Sequence, residues 1–256
     1  IYSIAGRTHR FEGLIREQPF RAPHHTASAA SLIGGGSFPR PGEISLAHRG
    51  VLFLDEFAEF SRSVLENLRE PLEEGIVTVS RVRGSLLFPA RFLLVAAMNP
   101  CPCGYAGDPE HACACSPYQV LQYKRKISGP ILDRIDLHVD IPRVKLEKLQ
   151  GSFDGAEPSE TTRVRVVAAR ERQRERMRQW DKKTNAEMDT RLLEKFCSIE
   201  PDVQVFLLQA AQNFKLSARG YGRVLKVART IADLAGEERV TLPHITEALS
   251  YRFRDE

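Results

Sequence analysis

Two short apolar runs in the first half of the chain each stop abruptly at polar groups. Val51-Leu52-Phe53-Leu54 ends at Asp55-Glu56, and Phe92-Leu93-Leu94-Val95-Ala96-Ala97-Met98 ends at Asn99. Runs this short and this apolar predict strands buried in a parallel sheet, where ligands gather at the carboxyl ends of the strands. A third strand is expected over Leu137 to Ile141, with Arg134 at a helix end just before it. Between the first two runs, Val64, Leu65, Leu68 and Leu72 recur at helical spacing and predict an amphipathic helix over 61–74. Positions 76–88 alternate and predict a hairpin with Arg81-Val82-Arg83-Gly84-Ser85 at its tip. Later the period becomes helical throughout, over 203–214, over 217–234 and from Thr241-Leu242-Pro243 to Leu249.

The polar strand ends carry the candidate chemistry. Asp55 suits a Mg²⁺ ion, usually held through water, and Glu56 suits the orienting or deprotonation of a water attacking a γ-phosphate. The amide of Asn99 can bond both a γ-phosphate oxygen and that water. Arg134 is a candidate arginine finger. The plainer alternatives are a buried strand running into an acidic surface loop at 55–56, and an Asn-Pro turn at 99–100.

The order of acidic strand end, Asn-tipped strand and Arg before a strand resembles AAA+ ATPases, and more narrowly the magnesium-chelatase-like ATPases of the ComM/YifB type. The residues that carry the resemblance are Phe20 to Thr26, Gly34 to Ser37 with Pro41-Gly42-Glu43, Val51 to Glu56, Asn99 to Gly104, Ser128 to Asp136, and Ser217-Ala218-Arg219. The fold this implies is α/β: a truncated AAA+ parallel-sheet core of the P-loop NTPase type over 1–145, a linker and basic helix over 146–188, and an all-helical lid over 189–256. Gly-x-x-x-x-Gly-Lys-Ser/Thr occurs nowhere in the chain. The resemblance puts that phosphate loop upstream of Ile1, so these residues alone are expected to bind ATP poorly and hydrolyse it negligibly. It also makes Arg219 the candidate lid arginine for the nucleotide, with Arg223 as runner-up.

Four of the five cysteines fall within fifteen residues, as Cys101-x-Cys103 and Cys113-x-Cys115. In a reducing compartment such clustering favours a closed tetrahedral Zn²⁺ site over disulfides, with His111 able to replace one sulfur and unliganded thiols the alternative. Cys197 reads as core. His24-His25 is not assigned metal chemistry, because neighbours on a strand point to opposite faces.

Net charge is only +4, too small to identify a nucleic-acid partner by itself. The local candidates for nucleic acid are Arg81 and Arg83 at the hairpin tip, and Phe38 and Arg40 in the glycine-flexed loop 34–42; an ordinary surface loop or turn is the alternative for each. The arginine-rich stretch 162–180 reads as a long exposed helix, a solvated face before a DNA contact. No run of eighteen apolar residues occurs and no signal peptide opens the chain, so the cytoplasm is expected and a membrane is not. The resemblance implies an ATP-driven motor, a homohexamer, that acts on DNA through branch migration or helicase action in natural transformation. A zinc-stabilised nucleic-acid-binding module without turnover, or a magnesium-chelatase subunit, are the competing readings.

Overall fold

The computed structural model describes residues 1–6, 15–36, 38–81, 84–142, 144 and 157–252. Contacts divide the chain into two compact units, Ile1–Ile135 and Asp136–Glu256.

The first unit is built on a three-stranded parallel sheet of β1 (Phe20–Arg21), β4 (Val51–Leu54) and β7 (Leu93–Ala96), with β4 in the centre. Val51 pairs with Phe20 on one side and with Leu93 on the other, and Leu54 pairs with Ala96. Leu52 and Leu54 are fully buried, while Val51 and Phe53 on the other face are half-buried. That period of two sends β4's inner face into a core shared with Ile44, Phe57, Leu65, Leu68 and Ile131. The strand predicted at 92–98 forms over 93–96, yet Leu93 is 62% exposed and Val95 40%. Among the described residues β7 pairs on one side only, which leaves an apolar run suited to a covered strand at the sheet's edge.

Around the sheet lie α1 (Ala29–Ile33), the two-residue pair β2 (Gly34–Gly35) and β3 (Arg40–Pro41), and α2 (Glu43–Leu46). A Cβ at Gly34, where φ is +117°, would stand 2.1 Å from the Arg40 carbonyl oxygen, so glycine is needed there for close backbone approach. The helix expected over 61–74 is two helices, α3 (Arg62–Glu66) and α4 (Arg69–Glu74). Pro71 explains the break: it has no N–H for the Asn67 carbonyl, and its ring would collide with it in a continuous helix. Ser61 caps α3 by accepting the Val64 N–H at 3.4 Å. The predicted hairpin is present as β5 (Ile76–Arg81) and β6 (Gly84–Pro89), with Val77, Val79 and Phe88 in the core. Its tip residues Val82 and Arg83 lie outside the described residues, as do residues 145–156 of the expected linker. Two short helices, α5 (Pro117–Lys124) and α6 (Gly129–Leu132), complete the unit.

The second unit is helical: α7 (Ser159–Arg176), α8 (Thr190–Phe196), α9 (Pro201–Asn213), α10 (Ala218–Ala235) and α11 (Leu242–Ser250). Residues 137–142 form no strand, contrary to expectation, and Val139 and Ile141 are exposed. A strand exists only as one side of a ladder, and no described residue supplies the other side. Composition separates 146–188 from the lid, whereas contacts group α7 with the other helices. The arginine-rich α7 is not wholly solvated: Ala169 and Gln173 are buried, and its last turns are tied to α10. Gly220 and Gly222 do not prevent α10, whose first turn is capped by Ser217 and whose Gly220, Val224, Ala228 and Ala232 form a buried stripe.

Candidate active site and metal centre

Asp55 and Glu56 follow β4 directly, at the carboxyl end of the central strand, and Asn99 stands three residues beyond the end of the neighbouring β7. Two backbone bonds hold the segments together past the strands: the Ala97 N–H donates to Leu54 O at 3.0 Å, and the Phe57 N–H to Ala97 O at 2.9 Å. Asp55, Glu56 and Asn99 are all exposed. Asp55 Oδ1 accepts the Glu56 N–H at 2.8 Å, which fixes its carboxylate against the turn.

Glu56 turns the chain with φ +52° and ψ +46°, a left-handed conformation that costs a residue with a side chain about 1–3 kcal/mol. Its side chain is 52% exposed, and Oε2 lies 2.6 Å from Nδ1 of His25. His25 stacks beside His24 with ring centroids 4.1 Å apart and meets the edge of Phe60 at 6.5 Å. The expectation that the two histidines point to opposite faces does not hold, because β1 ends at Arg21 and both lie in the turn beyond it. The His25–Glu56 contact was not legible in the sequence; the available signal was a histidine pair inside the Phe20–Thr26 run that the resemblance singles out.

Arg134 follows the end of α6 and is buried. Its guanidinium pairs with the Glu73 carboxylate and donates to Pro130 O at 2.7 Å, while Nε is buried without a partner. Arg219 sits in the exposed first turn of α10, and one turn on Arg223 pairs with Asp136. Phe38 is exposed on the turn between β2 and β3, and Arg40 is exposed in β3. Arg81 closes β5 opposite Gly84, and Arg83 lies outside the described residues.

The loop after Asn99 gathers Cys101, Cys103, Cys113 and Cys115, with all four sulfurs within 4.8 Å of one another. Separations of 3.4, 3.5 and 3.7 Å among Cys101, Cys103 and Cys113 are far from an S–S bond. They approach the ~3.8 Å edge of a tetrahedron with Zn–S bonds of about 2.3 Å, so the donor set fits zinc. His111 is outside this cluster and stacks on Tyr105 at 5.2 Å. Crowding splits the acidities of the thiols. Cys103 is held down to about 6, first by the Tyr105 backbone N–H. Cys113 is pushed up to about 12: the Cys115 N–H works the other way and is outweighed by burial and the sulfurs of Cys103 and Cys101. A proton lost from one sulfur thus keeps protons on its neighbours unless a cation joins them. The Tyr123 side chain is buried, and its pKa is raised first by burial and then by the nearby Glu59, Cys101 and Glu56. Cys197 is buried in the second unit, as expected, with its thiol pushed up to about 11 by burial.

Comparison with known proteins agrees with this geometry. Residues 1–149 match the family model described as magnesium chelatase, subunit ChlI, and residues 156–252 match the model of the ChlI C-terminal region. The chain is 48% identical over 238 residues to competence protein ComM of Haemophilus influenzae, covering 93% of this chain and 45% of that protein. It is 47% identical to the uncharacterized protein YifB of Escherichia coli, covering 94% and 46%. An uncharacterized protein of Mycobacterium tuberculosis is 44% identical, covering 98% and 50%. The chain thus spans about half the length of the curated relatives it matches. With both family models matched in order, and a parallel-sheet core followed by a helical region, the chain belongs to the magnesium-chelatase-like AAA+ family of the ComM/YifB type.

Proposed function

We propose that this chain is the water-activating part of an ATP-hydrolysing motor that acts on DNA in the cytoplasm. What carries this reading is the pair Asp55-Glu56 at the carboxyl end of the central parallel strand, with Asn99 at the same end of its neighbour. Asp55 holds the Mg²⁺ of a bound nucleotide, which screens the charge of the phosphates. Glu56 accepts the proton of the attacking water, and the Asn99 amide donates to the γ-phosphate and orients that water. Arg219 is the arginine proposed, by the family resemblance, to serve the nucleotide's γ-phosphate.

Arg134 acts on the nucleotide of a neighbouring protomer in a homohexameric ring, where an arginine supplied in trans contributes ~10³–10⁵ in rate. To do so it exchanges Glu73 and the Pro130 carbonyl for phosphate oxygens. Cys101, Cys103, Cys113 and Cys115 hold a structural Zn²⁺ that ties down the loop behind Asn99. DNA as substrate is supported by the likeness to a protein named for competence, and Phe38, Arg40, Arg81 and Arg83 are the side chains proposed to meet it. Hydrolysis needs the phosphate loop that the family places upstream of Ile1, so these 256 residues alone are inactive.

The deciding experiment measures ATP hydrolysis by the protein extended upstream of Ile1, with and without branched DNA, beside its Glu56→Gln variant. DNA-stimulated turnover that disappears in the variant supports the reading. Turnover unchanged by the substitution overturns the assignment of Glu56, and absence of turnover in the parent leaves a zinc-stabilised binding module.

A further inference from the structure

We infer that His25 is the positioning residue for Glu56, holding one carboxylate oxygen so that the other faces the attacking water. The inference rests on the proposed role of Glu56 and adds a second residue to that site. A half-exposed glutamate at the end of a strand would ordinarily sample several rotamers, and a base whose oxygen wanders by an ångström loses much of its effectiveness. Here three features restrict it. The backbone at residue 56 is locked in a left-handed turn, closed by the Glu59 N–H to Glu56 O at 2.7 Å. Oε2 is taken by His25 Nδ1 at 2.6 Å. The imidazole cannot swing away without losing its contacts with the rings of His24 and Phe60.

His24 is itself fixed, because the Thr26 N–H donates to its Nδ1 at 3.3 Å and the Thr26 hydroxyl lies 2.9 Å from the same atom. Phe60 is buried in the core of the unit. The rigidity of the core therefore passes through two aromatic contacts and one hydrogen bond to a carboxylate that otherwise stands in solvent. Topology brings the two groups together: β1 and β4 are parallel neighbours, so the turn leaving β1 arrives beside the turn leaving β4. A carboxylate with one oxygen occupied by a donor retains the lone pairs of the other to accept a proton, which is the arrangement a general base requires.

The test compares two substitutions in the protein extended upstream of Ile1, assayed for ATP hydrolysis with DNA present. His25→Phe keeps a ring between His24 and Phe60 but removes the donor. His25→Asn gives up the ring but keeps an amide N–H near the place of Nδ1. A positioning role predicts that kcat falls about tenfold in His25→Phe, that KM for ATP stays within about twofold, and that His25→Asn recovers most of the lost kcat. Thermal melting and binding of a fluorescent ATP analogue identify any variant that has lost its fold. Wild-type kcat in His25→Phe overturns the proposal, and so does equal impairment of both variants, which would mark His25 as a space-filling residue. Glu56→Gln in the same series separates the two readings: if it is inactive while His25→Phe is not, only the positioning role falls, and if it turns over normally, the site reading falls first.

Discussion

Glu56 and Asp233 are both carboxylates held by basic side chains, and their surroundings could hardly differ more. Asp233 is fully buried and saturated: Arg176 and Arg229 pair with it, and Asn185 Nδ2 donates to it at 2.8 Å. Arg229 is equally buried and also donates to Glu238 O at 2.6 Å, while Arg172 reaches the Asp233 carbonyl at 2.7 Å. Every lone pair has a partner, and the network fastens α7 to α10. Glu56 is half exposed, on a strained backbone, with one oxygen engaged and one facing solvent. A charge that is buried must be fully satisfied to be tolerated, whereas a charge meant to react must keep a site open.

The contrast can be broken with one kind of substitution made in both places. Glu56→Gln in the upstream-extended protein is expected to lower ATP turnover by about 10²–10⁴-fold with no change in melting temperature, read by a phosphate-release assay and calorimetry. Asp233→Asn is expected to do the reverse, costing about 3–5 kcal/mol by leaving buried arginine charge uncompensated, read by urea unfolding monitored by circular dichroism. A stable Asp233→Asn variant with impaired turnover would contradict the division drawn here.

The cysteine cluster sits between these extremes, with Cys101 buried and Cys103, Cys113 and Cys115 half-buried. Metal analysis should find about one zinc per chain, and Cys113→Ser should lose it. Occupancy should also fall as the solution is acidified, because each sulfur binds metal only as thiolate and protons compete for it. Full zinc retention by Cys113→Ser would remove that residue from the site. The smallest expected effect is at the edge of the core: Ser61→Ala deletes the cap of α3 and should cost about 1 kcal/mol, measured as a shift in urea midpoint.

The parts of the candidate site carried by local pattern were legible in the sequence. Apolar runs that end in Asp55-Glu56 and Asn99 announce themselves, and so does Cys101-x-Cys103 with Cys113-x-Cys115, because spacing alone brings such sulfurs together. What escaped were contacts created by topology. His25 meets Glu56 only because β1 and β4 lie side by side, and Arg134 meets Glu73 across 61 residues of chain. Arg229 and Asp233 occupy the helical spacing of any exposed ion pair, so their complete burial could not be read from charge pattern. The predicted strand at 137–141 failed for a related reason: alternation specifies a face, and a ladder still needs a neighbour.

The open flank of β7 has a practical consequence for anyone handling these 256 residues by themselves. Among the described residues no strand pairs with the outer flank of β7, and its row of backbone N–H and C=O groups beside exposed Leu93 and Val95 is a template on which another extended chain can add. Without a segment to occupy it, the polypeptide should clump increasingly as it is concentrated.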